Sequence, residues 1–152
     1  IGSIAGGTNG LAPAWSHVVG LETEVSVDNA DIGALAYLTN AKVRGKLKQT
    51  EKASSTGQFI WPENNQMNGY RSEVSNQVSS ALTKGTSSGV CSAIFFGNWS
   101  DLMIAFWSGV DILVDPYTAG LSGGVRVIAH QDCDVQVRHP QSFAAMLDAL
   151  TT

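Results

Sequence analysis

A fourteen-residue run, Val125 to Arg138, constrains this chain more than any other stretch. Odd positions read Val125, Val127, Ala129, Gln131, Cys133, Val135 and Val137; even positions read Arg126, Ile128, His130, Asp132, Asp134, Gln136 and Arg138. Apolar and polar residues alternate at period two, the pattern of a β-strand with one greasy and one charged face. A single strand over this run would extend roughly 45 Å at about 3.3 Å per residue. Ordinary strands hold about five or six residues. Such a length predicts an extended element that lies along a neighbour, as in a building block.

Upstream, Ile94 to Trp107 and Val110 to Thr118 read as further strands, parted by Gly97-Asn98, Ser108-Gly109 and Pro116 to Gly124, all turn chemistry. Downstream, Pro140 can open a helix in which Phe143, Met146, Leu147 and Leu150 recur at helical spacing. Nearer the start, Ile1 to Ala12 is a Gly-rich linker. Pro13 suits the first turn of a helix striped by Trp15, Val18, Leu21 and Val25. The far half of that helix is acidic, with Glu22, Glu24, Asp28 and Asp31, which the helix dipole disfavours. Those carboxylates are therefore expected to have partners.

Leu35 to Thr39 reads as a short buried strand, and Asn40 as the N-cap of a helix from Ala41 to about Lys48. Lys42, Arg44, Lys46, Lys48 and Lys52 place five of the nine basic residues within eleven positions. That helix reads as a solvated basic surface, as a face that meets the acidic helix around Glu22 of a neighbouring copy, or as a contact with nucleic acid. Gln58 to Pro62 and Tyr70 to Ser75 read as short strands, and Gln77 to Gly89 as a Ser/Thr/Gly-rich loop.

Chemistry is sparse. Gly85-Thr86-Ser87-Ser88-Gly89 matches a hydrolase pattern, but a nucleophile elbow needs a strand before the serine and a helix after it. Here a loop precedes and a strand follows. His130, Asp132 and Asp134 share one strand face, yet stand about 6.6 Å and 13 Å apart, so a metal would need ligands from a second element. Pairing of Asp132 and Asp134 with Arg126 or Arg138 across an interface is the rival reading. Gly6 to Gly10 lacks the lysine of a phosphate loop. Trp15, Trp61, Trp99 and Trp107 read as core anchors before a sugar or base platform. No catalytic residue, metal ligand or cofactor site is expected.

At 152 residues the chain has the length of one domain, with 43% hydrophobic and 14% charged residues. The low charge suggests surface that neighbours cover. A net charge of −4 argues against general nucleic-acid binding. Two cysteines, Cys91 and Cys133, do not make a disulfide scaffold, which points to a reducing compartment. No apolar run is long enough to cross a membrane as a helix.

Several segments stand in the order seen in tailed-bacteriophage major capsid proteins. These are Trp15 to Val25, Ala36-Tyr37-Leu38-Thr39-Asn40-Ala41, Asn68-Gly69-Tyr70 with Ser75-Asn76, Phe96-Gly97-Asn98-Trp99-Ser100-Asp101-Leu102, Asp115-Pro116-Tyr117-Thr118, Val125-Arg126-Val127, Asp134, and Val137-Arg138-His139-Pro140-Gln141-Ser142-Phe143. The chain resembles the group with the Hong Kong ninety-seven capsid fold. Ala41 and Arg71 stand where that family often has proline. Family chains are longer, with an N-terminal arm, an extended loop and a spine helix, so this stretch is expected to be a C-terminal fragment.

The resemblance implies an α+β fold, a mixed β-sheet with flanking helices, comprising the axial domain plus part of the peripheral domain. Residues 1–12 would be linker or peripheral, 13–124 axial, and 125–152 a returning peripheral strand and helix. It implies a structural subunit, not an enzyme: a major head protein of a tailed phage or prophage that self-assembles into an icosahedral shell around DNA. Its partners would be identical subunits in pentamers and hexamers, with packaged DNA met only indirectly and no membrane. It would be assembled in the bacterial cytoplasm and reside in the virion capsid. Candidate assembly contacts are Lys42, Arg44, Lys46, Lys48, Glu22, Asp132, Asp134 and Arg138. The alternatives are an encapsulin-type shell, a serine hydrolase built on Ser87 or a metal enzyme on His130, and a carbohydrate-binding domain with its tryptophans in one groove.

Overall fold

A computed structural model describes residues 1–151. The elements in chain order are β1 (Gly2–Ser3), α1 (Trp15–Val27), β2 (Leu35–Thr39), α2 (Ala41–Leu47), β3 (Gln66–Met67), β4 (Tyr70–Val74), β5 (Leu82–Lys84), β6 (Ser87–Asn98), β7 (Leu102–Phe106), β8 (Asp111–Asp115), β9 (Arg126–His130), β10 (Cys133–Val137) and β11 (Phe143–Leu150). The described residues form two units: 1–101 with 139–151, and 102–138.

The first unit is a mixed sheet in the order β1-β11-β6-β2-β4-β3, with β5 hairpinned onto β6. β1 on β11 and β2 on β4 are parallel pairs, and the remaining pairs are antiparallel. Register aligns Tyr37 with Phe96 and Ser72, and Phe96 with Ala144. One sheet face therefore carries Tyr37, Ile94, Phe96, Ala144 and Met146, all fully buried. Val18, Leu21 and Val25 of α1, and Val43 and Leu47 of α2, close over it to complete the core. Tyr37 reaches through this layer and donates its hydroxyl to the Val18 carbonyl at 2.9 Å. Its ring packs 4.4 Å from that of Phe96.

The helices start as their local chemistry requires. Asn40 caps α2, its Oδ1 accepting the Val43 N–H at 3.0 Å. At α1 the cap residue is Ala14, whose N–H donates to His17 Nδ1 at 3.1 Å, one half of a capping box. Pro13 lies before this cap and outside the first turn. Asn68 and Gly69, both at positive φ, make the two-residue turn from β3 to β4.

The stretch expected as a helix after Pro140 is a strand. Pro140–Ser142 form only a 3-10 turn, and Phe143–Leu150 is β11, paired with β6 on one side and β1 on the other. Every residue from Phe143 to Met146 is buried, so both faces of the strand are covered and its apolar run cannot alternate. A short apolar run of that kind does not distinguish strand from helix by periodicity. A bulge between Met146 and Ala149 lets Asp148 turn its carboxylate onto the Gly6 N–H, with both oxygens at 3.0 Å.

Two other segments differ from the sequence reading. The loop expected over Gln77 to Gly89 contains β5 and the start of β6, joined by a two-residue turn at Gly85 and Thr86. Gln58 to Pro62 contributes one isolated bridge, Phe59 to Glu51, and no strand.

The second unit is a two-stranded antiparallel ribbon in two ladders. β7 pairs β10 from Leu102↔Val137 to Phe106↔Cys133, and β8 pairs β9 from Asp111↔His130 to Asp115↔Arg126. The single strand expected over Val125 to Arg138 is thus two strands, broken at Gln131 and Asp132. The break faces residues 107–110 of the other arm. There Asp132 N–H donates to Ser108 Oγ at 3.2 Å, and Trp107 N–H to the Asp132 carbonyl at 3.1 Å. A closing turn at residues 116–125 is held by Asp115, whose carboxylate accepts from Thr118 and from the Tyr117 N–H. The Thr118 hydroxyl, with the two turn amides, holds that carboxyl below its ordinary pKa.

Candidate assembly surfaces

The ribbon's register sorts its side chains into faces, because residues directly opposite on paired strands share a side. In the β7–β10 ladder one face is Leu102, Ile104 and Phe106 with Val137, Val135 and Cys133 opposite. Nothing on that face is charged. Its other face carries Met103, Ala105, Asp134 and Gln136. In the β8–β9 ladder Ile112 and Val114 stand opposite Ala129 and Val127. The reverse side alternates Asp111 with His130, Leu113 with Ile128, and Asp115 with Arg126.

Most of these apolar residues are open to solvent, while Leu102, Ile128 and Val137 are half-buried. Ile104 is 59% exposed, Phe106 62%, Val114 57% and Val127 64%. A lone two-stranded ribbon is at best marginally stable in water. Large contiguous exposed apolar patches are, in general, marks of interaction surfaces.

A second surface is charged. Val43 and Leu47 of α2 are buried, and Lys42, Arg44 and Lys48 flank that stripe in solvent; Lys46 is half-buried. Beyond the helix, Lys52 sets its ammonium 4.5 Å from the centre of the Trp15 ring. At the far end of α1, Glu24, Asp28 and Asp31 are exposed beside Val27 and Ile32. Glu22 differs from these. Its carboxylate accepts the Tyr70 hydroxyl at 2.9 Å and an Asn68 Nδ2 hydrogen, so it is engaged within its own chain. The Tyr70 phenol is raised above its ordinary pKa chiefly because it donates to Glu22. That of Tyr37 is raised chiefly by burial.

The remaining candidate residues are placed as follows. Asp132, Asp134 and Arg138 are exposed in the ribbon, Asp134 standing opposite Ala105. Arg126 lies opposite Asp115, not opposite Asp132 or Asp134. His130 belongs to β9, Asp132 to the break and Asp134 to β10, and among the described residues no three metal-ligating side chains converge. Ser87 opens a twelve-residue strand, so no helix follows it and no elbow forms. Trp61 is buried, Trp99 stacks edge-on against Phe143, and Trp107 is 68% exposed in the ribbon.

The sequence offered no signal for one buried cluster. Asp101 Oδ2 accepts from Asn98 Nδ2 at 3.0 Å and from Ser142 Oγ at 2.8 Å, and Ser142 Oγ lies 3.3 Å from His139 Nδ1. A catalytic triad would place the acid on the histidine. Here the acid is on the serine, and the group ties the segment before the ribbon to the segment after it. The opposite sheet face, with Ala36, Leu38 and Phe95, lies outside the helix-covered core. It forms an open cleft of 540 Å³ with Trp99, where the only charged side chains, Arg71 and Glu73, pair with each other.

Comparison with known proteins places the chain in a family. Residues 2–147 match the pattern described as "Phage capsid family". The major capsid protein of Halomonas phage phiHAP-1 is 35% identical over 130 residues, which cover 86% of this chain. The chain spans only 20% of that relative's length. Among solved structures, the capsid of an empty GTA particle, computed with C5 symmetry, superposes with a TM-score of 0.69 at 20% identity. It covers 98% of this chain and 48% of the other. A structure from Mycobacterium phage Che8 gives 0.63 at 15%, covering 95% of this chain and 52% of the other. A virus-like particle from Pyrococcus furiosus gives 0.60 at 11%, covering 96% and 56%. By its sequence match over nearly its whole length, the chain belongs to the phage capsid family.

Proposed function

We propose that this chain is part of a major head protein that tiles an icosahedral shell around DNA, touching identical copies in pentamers and hexamers. The observation that carries this reading is the ribbon's uncharged face, with Ile104, Phe106, Cys133 and Val135 open to solvent and Leu102 and Val137 half-buried. A neighbouring copy would remove that face from water. At about 25 cal/mol per Å² of apolar area, modest contacts repeated at every interface add up to a stable shell. Nothing in this tiling requires a reactive group or a cofactor. DNA would be met only indirectly, the site of action being the virion capsid after assembly in the bacterial cytoplasm. We assign residues 1–12 and 125–152 to the peripheral portion and 13–124 to the axial portion of the subunit.

An encapsulin-type compartment is the second reading, because the encapsulin complex from Synechococcus elongatus shares the fold with a TM-score of 0.57. The 35% identity to a phage major capsid protein favours the phage shell. Electron microscopy of the full-length protein expressed alone is the test. Closed hollow particles are expected, and a protein that stays monomeric at high concentration would sink the proposal. Particles that co-purify with a protein cargo would favour the compartment.

A further inference from the structure

We infer that α2 of one copy docks head to tail on the acidic turn after α1 of the next copy, so that the two charged surfaces form one directional contact. The inference rests on the proposed shell function and names a specific interface within it. On one side stand Lys42, Arg44 and Lys48, exposed on a helix whose buried stripe is only Val43 and Leu47. On the other stand Asp28 and Asp31 with exposed Val27 and Ile32 beside them. Among the described residues none of these five charges joins an ion pair within the chain.

Geometry keeps the two surfaces apart inside one molecule. Trp15, at the start of α1, lies against Lys52 just beyond α2. The acidic turn is at the other end of α1, about 20 Å away for a helix of 13 residues at 1.5 Å each. β2 likewise has the turn at its beginning and α2 at its end. A chain with opposite charges at opposite ends cannot neutralise itself, whereas a row of copies placed end to end can.

The local energetics point the same way. α1 has no basic residue in its last turn, and Asp28 is its C-cap. Carboxylates there add to the negative end of the helix dipole, an arrangement that stabilises only when cations approach. Gly45 adds a separate indication. It sits in mid-helix between the basic residues, where glycine costs helix stability. A Cβ at that position would meet nothing within 4 Å in its own chain. Packing within the chain therefore gives no reason for the missing side chain. A surface of Ala41 and Gly45 flanked by long cations lets a partner approach the helix closely. Val27 and Ile32 supply apolar knobs for that approach, and the surrounding charges set direction and register.

The test uses the full-length protein and reads particle yield by electron microscopy and sedimentation. Reversing the basic side (Lys42→Glu, Arg44→Glu, Lys48→Glu) is expected to lower yield by about tenfold or more, as is reversing the acidic side (Asp28→Lys, Asp31→Lys). The five substitutions together are expected to restore it. Because all five residues are exposed, no variant should melt well below the parent, which separates lost assembly from lost folding. The acidic-side reversal should melt slightly higher, because lysine suits the C-terminal end of α1. Yield unchanged by either reversal, or no rescue on combination, overturns the contact while leaving the shell function standing. Shells that form normally but retain less DNA assign the basic helix to nucleic acid and also overturn it. If the unaltered protein forms no shells, the shell reading itself fails. The contact is then judged by whether the single reversals abolish, and the combined one restores, its concentration-dependent self-association.

Discussion

Asn98 and Gly97 show how single positions hold this fold. Asn98 Oδ1 accepts the Ala34 N–H at 2.9 Å and the Ser100 N–H at 3.1 Å, while its Nδ2 serves Asp101. Asn98→Ala leaves a buried carboxylate short of a donor. It should cost about 2–3 kcal/mol, read as a lower urea midpoint at constant m-value; a loss below about 0.5 would mean that water replaces the amide. At Gly97, an added Cβ would stand 2.4 Å from the Ser142 carbonyl oxygen and 2.5 Å from Phe143 Cδ1. Gly97→Ala should therefore destabilise by about 1–3 kcal/mol in the same assay. Tyr37 and Tyr70 make a pH prediction. Both phenols are raised above their ordinary value of 10.0 in the fold, so between pH 10 and their folded values only the unfolded chain has released the proton. Their contribution is complete below pH 10 and is lost as pH rises beyond it. Alkaline titration of the unfolding free energy should slope downward above that point, and Tyr70→Phe should flatten the slope.

At the scale of elements, β11 and the ribbon have opposite characters. β11 is paired on both edges and buried on both faces, whereas β7 to β10 have one partner each and exposed faces. Amide exchange should consequently be slowest in β6 and β11 and fast throughout residues 102–138 in the unassembled chain. Equal protection in both would contradict that assignment. Substituting Ile104→Ser and Val135→Ser on the uncharged face should move the melting free energy of the isolated chain by no more than about 0.5 kcal/mol, since neither side chain is buried there. The same pair should reduce particle formation by the full-length protein. A large loss of stability with normal particles would show that the face serves the fold and not assembly.

At the scale of the whole molecule, the described surface carries an exposed apolar ribbon and separated groups of opposite charge. Over residues 2–147 that surface belongs to a chain of the phage capsid family. Local chemistry was enough to locate α1, β2, α2 and β4. Their stripes and the Asn40 cap act over a few residues, and a few residues suffice to read them. The alternation in Val125 to Arg138 likewise announced extended chain. The order of motifs resembling capsid proteins gave the family. The tertiary structure alone decided the remaining points. Pairing between β6 and β11, some fifty residues apart in sequence, turned a run with helical spacing into a strand, because a backbone flanked by open strand edges gains its hydrogen bonds from them. The break at Gln131 and Asp132 depends on contacts with Trp107 and Ser108 in the other arm, which no local pattern encodes. Which carboxylates remain available was settled the same way: Glu22 is taken by Asn68 and Tyr70, and Asp28 and Asp31 are left to the outside. Short-range propensity is written in neighbouring residues, but the competition for hydrogen bonds and buried surface is decided between residues that meet only on folding.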